Sequence, residues 1–308
     1  MLNSPPERWA ETAKQELENP RGGGMPIPLD IPALIQQKAG WIEKEITLER
    51  WKERSAACEQ AIATLGSAIK DAGADVAVMI GDDTHEVFMP EEHIPAVDVY
   101  WGPEIVHIPH PSRSRSLPDA EKAPRLLPGA PALGEHIIGS LVDQGFDVSH
   151  TRRIDERRHI GHAFDFVYAR VLGNDVMPHV PILLNTYYAP NVPRLGRCYA
   201  MGRALRRAVE SWESDKTVAI IGTGGLTHTL IDEDLDQRVL RALRERDEET
   251  LSDLPEDEFV FGTSEIRNWI VVAGAMHESD SEMHLIDYVP CYRTAAGTGC
   301  AMGFAYWR

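Results

Sequence analysis

Three short apolar runs each end in a cluster of glycines and polar residues, and helical patterns separate them, so the chain is constrained to a sheet with helices packed on it. Residues 75–80 stop at Gly81-Asp82-Asp83, residues 180–187 carry Asn185, Thr186 and Tyr187 at their end, and residues 219–221 run into Gly222-Thr223-Gly224-Gly225. Residues 49–72 place apolar side chains at helical spacing and are closed by Gly73. A second amphipathic stretch from Gly134 carries Ile137, Ile138, Leu141 and Val142 and leads to a short strand at 146–149, and residues 195–212 read as a helix with arginines on one side. This alternation predicts an α/β fold, a single domain over residues 1–308 whose central sheet is largely parallel or mixed and flanked by helices. Residues 109–134, rich in Pro, Ser and Arg, read as a surface excursion covering a pocket, because regular patterns resume directly after them.

Charge narrows the partners. With 48 acidic against 31 basic residues the formal net charge is −17, which argues against a nucleic-acid backbone or an anionic membrane and for a small molecule. Cys58, Cys198, Cys291 and Cys300 lack metal-knuckle or disulfide-framework spacing and read as reduced core thiols. No apolar run approaches the roughly 20 residues of a membrane span, so the expected location is the cytoplasm.

Open sheets of this kind bind ligands beyond the carboxyl ends of their strands. His228, delivered by the glycine-rich turn 222–227, is suited to moving a proton near neutral pH. His85 and Glu86 are adjacent, and in strand geometry they point to opposite faces, so one of the two faces the pocket. Glu265 reads as a first-turn residue of a helix begun by Thr263 or Ser264, where a carboxylate is more often a cap than a ligand. Histidine and carboxylate are part of the facial arrangement of non-haem iron(II) sites, although spacing identifies no third ligand.

Plainer roles stand beside these. His162, ahead of Phe164 and Phe166, also suits a satisfied core histidine; Asp82 and Asp83 suit a helix or turn cap; Tyr187, Tyr188 and Trp269 suit either the core or an aromatic-substrate wall. His93, His107 and His110 lie in loops and carry no assigned role. The 222–225 glycines lack the Lys-Ser/Thr pair of a phosphate loop and the spacing of a dinucleotide fingerprint.

Longer motifs add a family resemblance. MLNSPPERW at the start, GDDTHEVF at 81–88, NTYYAPNVPRLGRCYAMGRAL at 185–205, GTGGLTHTL at 222–230, SEIRNWIVVAGA at 264–275 and YRTAAGTGCAMGFAYW at 292–307 span nearly the whole chain. Together they resemble the class III extradiol ring-cleavage dioxygenases, the family of the protocatechuate 4,5-dioxygenase β-subunit, and within it the 3-O-methylgallate dioxygenase branch. The resemblance implies an enzyme with Fe(II) as cofactor that opens a catecholic acid of gallate, 3-O-methylgallate or protocatechuate type with both atoms of O₂. It implies His85 and Glu265 as iron ligands, His228 as the acid/base, His162 beside the substrate, and Asn185, Thr186 and Tyr187 in the substrate pocket. It also implies a homo-oligomer such as a dimer, and residues 295–307 read as core or interface.

Two departures accompany it. The family carries its first iron-binding histidine in a His-x-Pro-Met motif just ahead of residues matching MLNSPPERW, so a start codon further upstream is expected. The alternatives are a shortened, metal-poor paralogue acting as a binding or scaffold subunit, and a divalent-metal hydrolase, whose ligand types overlap. Thr84 stands where relatives carry an amide or a histidine, which leaves open whether His85 or Glu86 turns to the metal.

Overall fold

Local signals set the ends of the helices, and the computed structural model shows where they pack. It describes residues 2, 4–19, 21–22, 25–26, 28–109, 123–155, 158–173 and 175–308. The helices used below are α1 (Trp9–Glu18), α2 (Leu48–Ala72), α3 (Pro131–Asp143), α4 (His162–Phe166), α5 (Leu195–Glu210), α6 (Glu233–Glu245) and α7 (Ile266–Ala275). Thr47 accepts the Arg50 amide at 3.2 Å and Gly73 closes the other end at φ 63°, which bounds α2 where the sequence places it.

The strands are β1 (Val76–Asp82), β2 (Val97–Tyr100), β3 (Glu104–His107), β4 (Arg125–Pro128), β5 (Ser149–Thr151), β6 (His179–Leu184), β7 (Val218–Gly222), β8 (His228–Leu230), β9 (Met283–Tyr292) and β10 (Thr298–Trp307). Five form the central sheet in the order β5-β2-β6-β1-β7; β1 pairs parallel with β6 and β7, β2 pairs parallel with β5, and β2 meets β6 antiparallel. The sheet is therefore mixed.

Period-two alternation explains its burial on both faces. Val76, Val78 and Ile80 join the core shared with α3, α5 and α7, while Ala77 and Met79 face a second core with Phe164, Val167 and Tyr168. A second sheet, β8-β10-β9, is antiparallel and packs against α2 through Cys58, Ala61, Ile62, Cys291 and Phe304.

Several expected boundaries move. The glycine-rich turn does not leave His228 at the end of the strand it follows: β7 belongs to the central sheet, residues 223–227 cross over, and His228 begins β8 of the other sheet. The short strand expected at 146–149 lies at Ser149–Thr151, because Phe146 is drawn into the core instead. Part of the expected excursion is ordered as β4, paired with β3, and the part at 110–122, His110 included, lies outside the described residues. Residues 298–307 form β10, with Ala301 and Phe304 buried, so this segment contributes to the core. Among the described residues no helix is long and apolar enough to cross a membrane.

Candidate active site

The carboxyl end of β1 carries an aspartate that nothing nearby satisfies. Asp82 is fully buried, and neither carboxylate oxygen has a hydrogen-bond partner among the described residues. Its neighbour behaves as the sequence suggests: Asp83 accepts the amides of Val87 (2.8 Å) and Phe88 (3.1 Å), which caps the turn after the strand. Burial pushes the Asp82 carboxyl up to about 7, and the negative charge of Glu265 adds to the shift. A buried, unpartnered carboxylate costs several kcal/mol, and a cation at the same place would offset that cost.

Two further groups converge there. Ligand atoms of Asp82, His162 and Glu265 all lie within 4.8 Å of one another. His162 opens α4, and its Nδ1 donates to Glu86 Oε1 at 2.6 Å while its backbone amide donates to the same oxygen at 3.2 Å. In the neutral ring with Nδ1 protonated, Nε2 would carry the lone pair a metal needs, so a metal would displace the second proton that Glu86 favours, and the partner carboxylate fixes the ring as such partners do in metal sites. Glu86 is itself held by the amide (2.7 Å) and hydroxyl (3.2 Å) of Thr84. Burial disfavours charge on both members of the pair, but their mutual hydrogen bond and attraction prevail, lowering Glu86 to about 2 and raising His162 to about 10.

Glu265 ends a short 3-10 turn just ahead of α7, one step before the helix rather than inside its first turn. It is the hub of the site. Oε1 accepts from the Tyr187 hydroxyl at 2.5 Å and faces His228 Nε2 at 3.1 Å, and Oε2 accepts the Gly225 amide at 3.3 Å. His228 Nδ1 faces the Leu226 carbonyl at 2.8 Å, so both ring nitrogens look at acceptors and the ring suits the imidazolium form. Burial works against that charge, but the charge of Glu265 and the hydrogen bond to it outweigh burial and raise the pKa of His228.

The glycines have a spatial reason. A Cβ at Gly262 would come within 2.0 Å of His228 Cδ2, and one at Gly224, whose φ is +98°, would meet Glu265 Cβ at 2.8 Å. They admit the chain's own side chains. Trp269 Nε1 donates to the Gly224 carbonyl at 3.0 Å and steadies the turn.

The remaining expected residues divide. His85, Glu86, His162, Tyr187, His228, Glu265 and Trp269 all line one cavity of about 1170 Å³. His85 is not in the three-residue cluster; held at φ 68°, it stacks on Tyr188 with ring centroids 3.9 Å apart and contacts the Phe88 carbonyl through Nδ1 at 3.1 Å. Asn185 faces its own loop, bonding the Tyr188 carbonyl at 2.7 Å and amide at 2.8 Å and the Asn191 side chain at 2.9 Å, and Thr186 is buried. His107, without an assigned role, forms a buried pair with Asp165 at 2.7 Å that ties β3 to α4. Sequence reading missed Asp82 as a site residue, yet one signal was present: it continues, with Val78 and Ile80, the strand face directed at the core.

Comparison with known proteins finds a matching family model and several relatives. The family model described as the catalytic LigB subunit of aromatic ring-opening dioxygenase matches residues 61–299. The chain is 30% identical over 184 residues to gallate dioxygenase of Pseudomonas putida, covering 54% of this chain and 52% of that protein. It is 24% identical over 172 residues to 2,3-dihydroxyphenylpropionate/2,3-dihydroxicinnamic acid 1,2-dioxygenase of Comamonas testosteroni, covering 56% of this chain and 49% of that one. The chain thus spans about half the length of the curated relatives it matches. An uncharacterized protein from Escherichia coli K12 superposes with a TM-score of 0.48 at 13% identity, over 80% of this chain and 91% of that one.

Proposed function

Because the chain belongs to the family of catalytic LigB subunits of aromatic ring-opening dioxygenases, we propose that it opens the ring of a catecholic aromatic acid with O₂ at a ferrous ion held by Asp82, His162 and Glu265. The observation that carries this reading is the orphaned Asp82 carboxylate, buried against a histidine and a second carboxylate that both line a cavity large enough for an aromatic acid. One histidine with two carboxylates suits a borderline-hard divalent ion and leaves coordination positions open. Iron(II) bound there would supply Lewis acidity toward the two ring hydroxyls and electron exchange with O₂.

The chain's own groups account for the rest. His228 Nε2, 3.1 Å from Glu265, is positioned to give a proton to an oxygen on the ring or on O₂ and to take one from a hydroxyl. Tyr187 holds Glu265 through its hydroxyl, and Glu86 holds His162, so both ligands are oriented before a metal arrives. Tyr187 and Trp269 supply aromatic faces in the cavity wall.

The test is oxygen uptake by protein reconstituted anaerobically with Fe(II), using gallate-type and protocatechuate-type acids. The expected result is consumption of one O₂ per ring with loss of aromatic absorbance. Full iron loading without uptake or ring loss on any of these acids would overturn the proposal.

A further inference from the structure

We infer that Arg293 and Thr298 form the subsite for the substrate's carboxylate, and that Glu16 of α1 occupies this subsite until an aromatic acid displaces it. The inference rests on the reading above for the substrate class, and on geometry for its place. Arg293 grips Glu16 with two donors, Nη2 to Oε1 at 2.5 Å and Nε to Oε2 at 3.1 Å, and the Thr298 hydroxyl adds a third at 3.0 Å. A planar guanidinium fork with a hydroxyl beside it is a carboxylate receptor, and its present occupant is itself a carboxylate.

The position fits one ring. Arg293, Thr298 and Glu16 line the same cavity as His228 and Glu265. In the second sheet His228 is the register partner of Cys300, and Thr298 lies two residues along the same strand and on the same face. That offset is about 7 Å, the scale of a benzene ring between a hydroxyl and an opposed carboxylate. The Cys300 thiol is influenced by both centres: burial raises its pKa, the Glu265 charge adds to this and Arg293 opposes it.

Other cations in the cavity wall suit the carboxylate less well. Among the described residues these are Arg206, Lys216 and Arg308. Lys216 precedes β7 and lies six residues, about 20 Å, from its site end. Arg308 lies eight residues beyond Cys300, about 27 Å, and Arg206 bonds Glu210 of its own helix through Nε alone, without the two-donor grip and hydroxyl that surround the carboxylate held by Arg293. A chain with net charge −17 needs a local cation to admit an anion. Glu16 is also replaceable: α1 is anchored at its other end, where Trp9 is buried against Trp51.

The test is anaerobic calorimetric binding of 3,4-dihydroxybenzoate and of catechol, its carboxyl-free counterpart, to the Fe(II)-loaded full chain, with benzoate titrated into the metal-free chain. Arg293→Gln should weaken the acid by about 10-fold or more while changing catechol less than about 2-fold, since a charge-assisted pair contributes about 1.5–3 kcal/mol. Glu16→Gln should tighten both the acid and benzoate, and Thr298→Val should weaken the acid by a smaller factor. If the Glu16–Arg293 pair only fastens α1, Arg293→Gln will alter both ligands equally and Glu16→Gln will leave benzoate unchanged; either outcome overturns the inference. The ratio of acid to catechol is an internal control for misfolding. Because benzoate binding requires no ring opening, failure of the dioxygenase reading would show separately, as absent oxygen uptake with the binding ratios intact.

Discussion

His228 and Asp82 make opposite demands on their surroundings, and substitution at each tests a different part of the account. His228→Ala removes the proton carrier beside Glu265, so steady-state turnover should fall by about 10²- to 10⁴-fold, while anaerobic catechol binding changes little; unchanged turnover would remove its role. Asp82→Asn removes a buried charge that has no partner. In metal-free protein it should raise the melting temperature, by the equivalent of about 1–3 kcal/mol, even as metal affinity drops. The opposite pair of results, lower metal-free stability and full affinity, would mean that Asp82 is a structural group. Glu86→Gln should weaken metal retention by about 10- to 100-fold, the usual effect of removing the partner of a ligating histidine. Legibility at this scale followed locality. Glu265 and His228 were visible as chemistry-bearing types at turns, and the structure brings them into contact. Asp82 was hidden because an aspartate after an apolar strand ordinarily caps a turn, as Asp83 does, and only the distant approach of residues 162 and 265 gives it another task.

Elements with local punctuation were legible to within a residue or two. α2 has its Thr cap and closing glycine, and α5 starts at Leu195 as expected and ends two residues short of Trp212. Sheet membership was not legible, because the division of 219–230 between two sheets depends on Cys300 pairing with His228 from the far end of the chain. That crossover is tight. Gly262→Ala would drive a methyl into the imidazole that opens β8, and the expected result is a loss of about 1–3 kcal/mol of stability with at least about 10-fold lower turnover, read by thermal melts and oxygen uptake. β6 offers a pH test away from the metal cluster. Buried His179 donates Nδ1–H to the Met177 carbonyl at 3.0 Å and accepts from the Tyr168 hydroxyl at 2.8 Å, a pattern only the neutral ring can make. Burial lowers its pKa to about 4, although the Met177 hydrogen bond opposes this. Its folded pKa lies below the unfolded value of 6.5, so its contribution is complete above pH 6.5 and is lost as pH falls toward 4. Denaturant melts across that window should lose on the order of 1–3 kcal/mol, with a shallower slope in His179→Gln.

For the whole molecule, two sheets meet at one cavity, lined by β7 of the mixed sheet, by His228 of the antiparallel one and by Glu265 ahead of α7, with Asp82 of β1 buried within 4.8 Å of Glu265. A cation bound between β1, α4 and the turn before α7, as proposed, would join elements far apart in sequence. It should stabilise the fold by about 2.7 kcal/mol at a hundredfold excess over its Kd. The family resemblance was legible because its motifs cover most of the strand ends, and the family model matches residues 61–299. The sequence groups His85 with Glu265, whereas the structure stacks His85 on Tyr188 in the cavity wall and brings Asp82 and His162 to Glu265. The most direct measurement is an anaerobic Fe(II) titration of the wild-type chain beside Asp82→Asn, Glu265→Gln and His85→Ala. The account predicts one ferrous ion per chain, at least about 10-fold weaker binding in the first two variants, and near wild-type binding in the third. Iron affinity that survives loss of Asp82 but collapses with His85 would contradict it.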